Sequence, residues 1–342
     1  MRCEFRTALC LLYMLTVPGV ADSSADSGEI PVTVDNFVRA ASDFELGKYE
    51  SLAGGVNRFL HFREPTPIAR QSTIRMNRDT LYSAAVVDIS EGATVTLPDA
   101  GERYMTLMIL NQDHFIDDVF SGGGSYTLDQ SKYETPYVLA WARFLVDATD
   151  AEDVAAVNEL QDQMVIEAGS AKPFVMPSYD EDQYRAMIAV ILNFGPFIPD
   201  SSRMFGSKKE VDPVRHLIGT AAGYGGLPER EAYYVNIDPN LPVAEYVINV
   251  PANVPVSAFW SISLYNAQGF FEPNEHQAYS INSVSGARND DGSMTVHLGG
   301  CEDGRANCLP IMEGWNYTVR LYQPGPEIID GSWVFPAAQL MK

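Results

Sequence analysis

The sequence has few cysteines, few histidines and few basic residues. Four of its 342 residues are cysteine and five are histidine, while 23 lysines and arginines stand against 45 acidic residues. The resulting net charge of −22 repels nucleic acid and anionic membrane surfaces, so neither is an expected partner. An acidic surface is common in exported proteins that must stay soluble. The charge therefore excludes classes of partner and identifies none.

Familiar catalytic and metal-binding motifs are also missing. The chain has no GxSxG nucleophile elbow, no HExxH pair, no EF-hand loop and no paired CxxC. The glycine-rich stretch 219–226 follows a predicted helix rather than a strand and lacks the lysine of a phosphate-binding loop. It is typical of a helix C-terminus followed by a turn. No metal and no cofactor are predicted.

One apolar run occurs at the N-terminus. Residues 7–17 follow the basic Arg2 and Arg6, and the small residues 19–21 offer a cleavage site. The run is too short to cross a bilayer as a helix, and no other segment comes close. We therefore expect a signal peptide over residues 1–21, a periplasmic or secreted mature protein, and no membrane span.

The cysteines bear on the compartment and on metal binding. Cys3 and Cys10 lie in the expected signal peptide, which leaves Cys301 and Cys308 in the mature chain. Two cysteines this close together in an exported protein favour a local disulfide. Zinc is the alternative, but two thiolates do not fill a tetrahedral site, and the nearest histidine is His297.

The length and pattern of the chain predict two β domains separated by a helical insertion. With 342 residues and 46% hydrophobic content, the chain can form two cores. Residues 31–60 show helical periodicity with Asp35 as a cap, and short β-favouring runs follow. We expect an N-terminal β domain over 32–149, a helical insertion over 150–222 and a C-terminal β-sandwich domain over 223–342. The fold class is α+β, mainly β.

Capping signals support the helical insertion. Asp150 is placed to cap a helix with an apolar stripe. Residues 178–181, Ser-Tyr-Asp-Glu, have the spacing of a capping box. Asp212 followed by Pro213 predicts another helix through about Ile218.

Two stretches of the chain resemble each other. Each contains a strand, a proline-marked turn, an aromatic-led strand ending in asparagine, and a later aromatic strand. The matched segments are 94–98, 104–111 and 137–141 in the first copy, and 247–251, 259–266 and 317–321 in the second. Chance is the alternative, since short aromatic strands are common. The shared order favours a duplication and predicts two related β units.

The densest polar cluster runs from Arg75 to Tyr82. On a strand, alternate residues share a face, so Arg75, Asn77 and Asp79 would point one way and Arg78 and Tyr82 the other. As a functional site, the arginines would hold a carboxylate or sulfate, with Asp79 as acid or base. As structure, the same residues would tie this segment to neighbouring loops, and this interpretation is slightly favoured.

His114 is the histidine best placed for chemistry. It follows the aromatic strand of the first copy, where side chains meet clefts, and Asp113 or Asp79 would orient it as a general base. An exposed turn histidine is the alternative. We nevertheless pair Asp79 and His114 as the candidate catalytic residues.

Aromatic residues form a second candidate surface. In the second copy Trp260 points to one face of the strand, while Phe259 and Tyr265 point to the other. Exposed aromatic rings bind sugars and other flat apolar faces, so Trp260, Tyr265 and Asn266 join Arg75, Asn77, Arg78 and Tyr82 as candidate ligand-binding residues. Packing between two sheets is the alternative.

These residues also carry a family resemblance. Residues 75–83, Arg-Met-Asn-Arg-Asp-Thr-Leu-Tyr-Ser, resemble the hallmark of the bacterial domain-of-unknown-function family 1254. Residues 259–266, 307–310 and 315–322 resemble family 1214, its usual partner, and residues 212–219 join the two in the typical way. The resemblance covers about residues 32–337. It implies an exported protein with two β-sandwich-like domains, and it brings neither an established activity nor catalytic residues.

Two functions follow as expectations. The first is a hydrolase acting on a small or oligomeric polar substrate bound between the β domains. The second is a non-catalytic envelope protein that binds a glycan or self-associates as a homo-oligomer. The sequence does not decide whether the protein is an enzyme.

Overall fold

The computed structural model describes residues 28–71, 73–198 and 200–341. The predicted signal peptide, with Cys3 and Cys10, lies outside these residues. The protein is mainly β with helices between the two β units, so the predicted α+β class is confirmed. Within the described residues, no helix has the length and apolar character needed to span a bilayer.

Capping residues set the starts of the main helices. Asp150, Asp180 and Asp212 each accept a backbone N–H of the first helical turn through the side chain. The prediction was right at Asp150 and Asp212, and two residues early for the helix that Asp180 caps. The first helix begins after Asn36 rather than Asp35. The helices are α1 (Phe37–Ala53), α2 (Gln130–Tyr133), α3 (Ala151–Asp162), α4 (Glu181–Leu192), α5 (Pro213–Ala222) and α6 (Pro326–Ile329).

The strands divide into an N-terminal and a C-terminal β unit. Those of the N-terminal unit are β1 (Leu60–Phe62), β2 (Thr80–Asp88), β3 (Ala93–Leu97), β4 (Met105–Asn111), β5 (Ile116–Ser121), β6 (Gly124–Leu128), β7 (Tyr137–Leu145) and β8 (Val165–Ala168). Those of the C-terminal unit are β9 (Ala232–Ile237), β10 (Tyr246–Val250), β11 (Trp260–Tyr265), β12 (Ser280–Asn282), β13 (Met294–Leu298), β14 (Cys308–Leu309), β15 (Asn316–Tyr322) and β16 (Gln339–Leu340).

Each unit is a sandwich of a central and an outer sheet. The N-terminal central sheet has the order β1-β2-β7-β4-β5 and its outer sheet β6-β3-β8. The C-terminal central sheet has the order β12-β11-β15-β9 and its outer sheet β14-β13-β10-β16. One apolar core fills each sandwich, and a third apolar cluster includes outward-facing residues of both central sheets. The two central sheets therefore pack against each other where the units meet.

The two central sheets share one topology. Strands β2, β7, β4 and β5 are neighbours in that order, as are β9, β15, β11 and β12. The turns after β4 and β11 also match. The side chain of Asn111 accepts the N–H groups of Asp113 and Phe115, and that of Asn266 accepts those of Gln268 and Phe270. The topology and the turns support the predicted duplication.

One part of the sequence alignment needs correction. Thr106 pairs with Arg143, and the equivalent Ser261 pairs with Arg320, so Arg143 is equivalent to Arg320. The sequence comparison instead matched Ala140 with Arg320, an error of three residues. An odd shift exchanges the two faces of a strand, so it hid this arginine pair.

The segment 150–222 holds more than the predicted helices, whereas the predicted disulfide is confirmed. Residues 150–222 hold α3, α4 and α5, but they also hold β8, which pairs with β3 in the N-terminal outer sheet. Cys301 and Cys308 form a disulfide with a Cα–Cα distance of 5.6 Å. Zinc at these two residues is therefore excluded.

Candidate functional site

Residues 75–79, the first part of the family hallmark 75–83 and called the signature segment below, form the end of a loop that connects the two units. The strand begins only at Thr80, and Arg75 has a left-handed backbone (φ 53°), so the predicted alternation of faces before Thr80 is wrong. We call the described part of the loop 63–79, between β1 and β2, the strap. The amide of Asn77 contacts the hydroxyls of Tyr82 (3.2 Å) and Tyr322 (3.0 Å) and thus bridges both central sheets.

Asp79 is buried at the junction of the units. Its Oδ2 accepts a 2.6 Å hydrogen bond from the Ser261 hydroxyl. Burial raises the pKa of Asp79, while the positive charge of Arg320 and the hydroxyls of Ser261 and Ser280 oppose the increase. Oδ1 has no partner in hydrogen-bond geometry among the described residues. Asp79 can therefore hold a proton, but its side chain lies inside the interface, with the residue 1% exposed.

Arg320 holds the strap from the C-terminal side. Its guanidinium donates to the hydroxyls of Ser263 (2.8 Å) and Tyr265 (2.9 Å) and to the backbone carbonyls of Arg75 (2.8 Å) and Met76 (3.3 Å). Tyr265 in turn donates to the Met76 carbonyl at 2.7 Å. These contacts give the signature segment and Tyr265 a structural role between the units.

Asp79 and His114 are not brought together. Asp79 precedes the residue opposite Leu145 on β7, while His114 follows Asn111, which lies opposite Val138. At about 3.3 Å per residue the two side chains lie roughly 20 Å apart, at opposite ends of the sheet. The predicted catalytic pair therefore has no common site.

His114 is fully buried in a satisfied environment. Its Nε2 accepts the Gly225 N–H at 3.0 Å, and its Nδ1 lies 2.8 Å from the Thr220 hydroxyl. Because the Thr220 hydroxyl donates to the His216 carbonyl, it accepts from Nδ1–H, which makes His114 a neutral tautomer. Burial lowers the pKa of His114 well below its ordinary value, and the neighbouring His216 adds to the effect. His114 is therefore not the exposed turn residue that the sequence offered as the alternative, and both of its ring nitrogens are engaged.

The remaining predicted ligand-binding residues are dispersed. Arg75 faces Asp238 and Asn316, whereas Arg78 donates to the Thr66 carbonyl and lies over the ring of Tyr279. The two arginines therefore do not converge on one anion.

The predicted faces of β11 are correct, but they separate Trp260 from Tyr265. Trp260 packs in the C-terminal core against Phe335. Tyr265 points the other way, towards Arg320. Asn266 closes the turn after β11 and donates to Glu272. Trp260, Tyr265 and Asn266 therefore do not share one binding surface.

A cleft of about 820 Å³ opens between the two units, and none of the predicted site residues lines it. Its walls come from the ends of the central strands, the start of α3 and the segment before β11. Two lining residues, Tyr104 and Phe259, occupy equivalent positions in the two copies and contact each other with ring centroids 5.2 Å apart. Gln323 bridges the units by donating to Ser121 at 3.2 Å. The resemblance between residues 104–111 and 259–266 matches Tyr104 with Phe259, and this match is the signal by which the cleft could have been found.

The cleft is acidic, but its aspartates are already engaged. Asp153 pairs with Arg103 at 2.5 Å, which lowers the pKa of Asp153. Asp150 caps α3, and Asp147 accepts both the N–H and the hydroxyl of Thr149. Glu102 is exposed. The exposed Ser257 hydroxyl, the exposed Glu102 carboxylate and the Tyr104 ring therefore remain for a ligand.

Metal binding finds no support in the described part of the chain. Across residues 28–71, 73–198 and 200–341, no three histidine, cysteine, aspartate or glutamate side chains are grouped as a metal site requires.

Two family models match the chain, one in each β unit. Residues 56–168 match the model described as protein of unknown function (DUF1254), and residues 239–326 match protein of unknown function (DUF1214). No curated protein matches the chain significantly.

Two solved structures share the fold over most of the chain. The crystal structure of the VPA0106 protein from Vibrio parahaemolyticus has a TM-score of 0.68 at 19% identity, over 90% of this chain and 98% of that one. An uncharacterized protein from Burkholderia cenocepacia has a TM-score of 0.53 at 16% identity, over 90% of this chain and 87% of that one. The family models and the shared fold agree with the resemblance in the sequence. The chain belongs to the proteins that join a DUF1254 domain to a DUF1214 domain.

Proposed function

We propose that the protein binds a neutral or cationic polar ligand, of the glycan class, in the cleft between its two β units, without catalysis. The observation that carries this proposal is the cleft of about 820 Å³, whose walls come from both units and whose aspartates are all committed to structural hydrogen bonds. Ligand sites of several hundred Å³ with a few fixed polar groups commonly lie between domains.

The charge of the cleft selects the ligand class. Four carboxylates, those of Glu102, Asp147, Asp150 and Asp153, face one basic residue, Arg103. This balance opposes anionic ligands such as uronic-acid polymers. The hydroxyls and amides of the wall suit the hydroxyl groups of a sugar, and the ring of Tyr104 suits its apolar face.

A glycan array tests this binding directly. Ser257 is exposed in the cleft wall, so Ser257→Trp fills space without disturbing a core. Ser51→Trp places the same side chain on an exposed position of α1 as the matched control. We expect neutral and amino-sugar glycans to bind the wild type and Ser51→Trp, and Ser257→Trp to bind at least about tenfold more weakly. Equal binding by both variants, or binding of uronic-acid glycans alone, contradicts the proposal.

We place the protein in the periplasm or outside the cell. The basic and apolar N-terminal residues 1–21 support export, and the Cys301–Cys308 disulfide is typical of an oxidising compartment. Cell fractionation of the full chain and of a chain lacking residues 2–21 tests this placement. Only the full chain is expected outside the cytoplasm.

Hydrolysis is the second candidate, and Asp79 is the residue that favours it. Burial raises its pKa, and Oδ1 is unpaired among the described residues. Asp79→Asn removes the titrating group and keeps an oxygen for the Ser261 hydroxyl. If the protein hydrolyses a glycan that it binds, this variant is expected to lose turnover and keep binding. Unchanged turnover contradicts the role of Asp79.

A further inference from the structure

Arg143 and Arg320 are the two buried arginines of the described chain. They are 6% and 4% exposed, and neither has a carboxylate within 4.0 Å among the described residues. A buried charge without a partner is costly. The cost is unexpected in a chain with 45 acidic and 23 basic residues, where a carboxylate is the easiest partner to supply.

The two arginines occupy equivalent positions in the duplicated central sheets. Arg143 lies between Tyr82 and Thr106 on neighbouring strands. Arg320 lies in the same way between Tyr234 and Ser261. The strand neighbours of the two arginines differ only in that Arg143 has Thr106 where Arg320 has Ser261. The surroundings of the two arginines can therefore be compared directly.

The donors of Arg320 are used by the protein itself. They reach two hydroxyls and two carbonyls, those of the strap among them. Arg143 is different. It donates to the Gly225 carbonyl at 2.8 Å, approaches the sulfur of Met108 at 3.8 Å, and lies 5.7 Å from the ring centre of Tyr82. A guanidinium has five N–H donors, so Arg143 retains donors for another acceptor.

Unpartnered polar atoms surround Arg143. The hydroxyl of Thr106, directly opposite on β4, and the indole N–H of Trp141, on the same face two residues earlier, have no hydrogen-bond partner among the described residues. The hydroxyl of Tyr104 shares this property. Burial raises the pKa of Tyr104, and the charge of Arg143 and the neighbouring Thr106 hydroxyl oppose the increase. Buried polar groups normally have partners, so three unpartnered side chains beside an arginine with spare donors indicate a ligand.

The two nearby carboxylates do not neutralise the positive charge of Arg143. Glu231, the residue equivalent to Asp79, pairs with Arg230 at 3.6 Å. Asp79 interacts with Ser261 and with the charge of Arg320. Neither carboxylate forms an ion pair with Arg143 in the described chain.

We propose that Arg143, with the hydroxyl of Thr106 and the indole N–H of Trp141, binds a small oxyanion between the two β units. Arginine recognises carboxylate, sulfate and phosphate oxygens through paired N–H groups, and hydroxyl and indole donors complete such a site. Tyr82 and Tyr234, the strand neighbours of Arg143 and Arg320, are partly exposed, and Arg143 itself is 6% exposed. This site is distinct from the acidic cleft, although the ring of Tyr104 lines that cleft.

The test uses inorganic sulfate, inorganic phosphate and acetate as probes, with chloride as the reference at constant ionic strength. Thermal unfolding and tryptophan fluorescence of the full chain are followed against probe concentration. Arg143→Met removes the guanidinium and keeps a similar length. Arg185→Met is the matched control, because Arg185 lies on the surface of α4 and pairs with Glu181. We expect at least one oxyanion to raise the unfolding temperature saturably in the wild type and in Arg185→Met, and none to do so in Arg143→Met.

Thr106→Val tests the same proposal if Arg143→Met fails to fold. This substitution replaces a hydroxyl that has no hydrogen-bond partner among the described residues by a methyl group. It is expected to weaken oxyanion binding several-fold. Ser257→Trp, which fills the acidic cleft, is expected to bind the oxyanion normally, so failure of the cleft proposal and failure of this one are distinguishable. The acetate arm separates a carboxylate ligand from a tetrahedral one. No saturable response beyond chloride, an equal response in Arg143→Met, or an unchanged affinity in Thr106→Val overturns the proposal.

Discussion

The two central sheets share a strand order and differ in how their equivalent residues are used. The carbonyl of Asp79 accepts the Val146 N–H at 2.9 Å, and that of Glu231 accepts the Gln323 N–H at 2.8 Å, so the backbones agree closely. The side chains do not agree. Asp79 reaches across to the opposite unit, whereas Glu231 pairs with its neighbour Arg230. A duplicated backbone can therefore keep its topology while equivalent side chains take different partners.

Replacing each buried arginine by alanine should give the largest difference in unfolding free energy between equivalent residues of the two sheets. Arg320→Ala leaves two strap carbonyls without their donor and removes the positive charge that acts on the buried Asp79 carboxylate. We expect it to lower the free energy of unfolding by about 3–5 kcal/mol. Arg143→Ala removes one carbonyl contact and a charge without an ion pair, so its cost should be nearer about 1–2 kcal/mol. Urea unfolding of both variants measures the difference. Equal costs would show that the two arginines are equivalent in energy as well as position.

The disulfide is a second difference between the units, since the one cross-link in the described part of the chain lies in the C-terminal unit. Replacing Cys301 and Cys308 together by alanine releases a loop with a sequence separation of 7. Chain entropy predicts a loss of about 2–3 kcal/mol in the C-terminal unit. Limited proteolysis followed by mass spectrometry is expected to show earlier cleavage there and unchanged cleavage of the N-terminal unit. Earlier cleavage of both units contradicts a local effect.

The two ends of the N-terminal central sheet are expected to respond oppositely to pH. Burial raises the pKa of Asp79 above its ordinary 3.8, so the folded state binds the proton more tightly and stability falls as pH rises above about 4. Burial lowers the pKa of His114 below 6.5, so stability is lost as pH falls below about 6.5.

Two variants separate these contributions. Asp79→Asn should gain stability relative to the wild type as pH rises. His114→Asn, which suits the left-handed backbone at this position (φ 61°), should remove part of the acid sensitivity. Each slope is at most about 1.4 kcal/mol per pH unit. Urea midpoints between pH 4 and pH 8 give the slopes, and parallel curves for the wild type and either variant contradict the assignment.

The smallest expected effect comes from the matched hydroxyls Thr106 and Ser261. Ser261→Ala removes the donor to the buried Asp79 carboxylate and should cost about 1–3 kcal/mol. Thr106→Val replaces an unpartnered hydroxyl by a methyl group of similar size and should change stability by less than about 0.5 kcal/mol in oxyanion-free buffer. Thermal unfolding measures both. A large loss in Thr106→Val would reveal a partner for its hydroxyl.

Local patterns in the sequence predicted local structure well. The helix starts at Asp150 and Asp212 were correct because a cap depends on a few neighbouring residues. The faces of β11 were correct because side chains alternate along any strand, which placed Trp260 and Phe259 on opposite sides.

Long-range pairing limited the rest. The match between β7 and β15 was three residues off, because an antiparallel register is set by partner strands that single-sequence comparison does not contain. The prediction that Asp79 and His114 lie close together was wrong for the same reason. The sequence does not state which end of a sheet a given turn occupies. The cleft was missed because its walls come from strand ends far apart in the chain.

The strap has a consequence for the order in which the protein is made. Residues 63–79 emerge before any of their anchoring partners in the C-terminal unit, with about 180 residues between Asp79 and Ser261. Until Arg320 emerges, the Arg75 and Met76 carbonyls lack the guanidinium that later binds them. We therefore expect a nascent or truncated chain that ends before β15 to be cut by protease within the strap, while the full-length chain resists. Residues 75–79 would then become fixed only when β15, which carries Arg320, has joined the C-terminal central sheet.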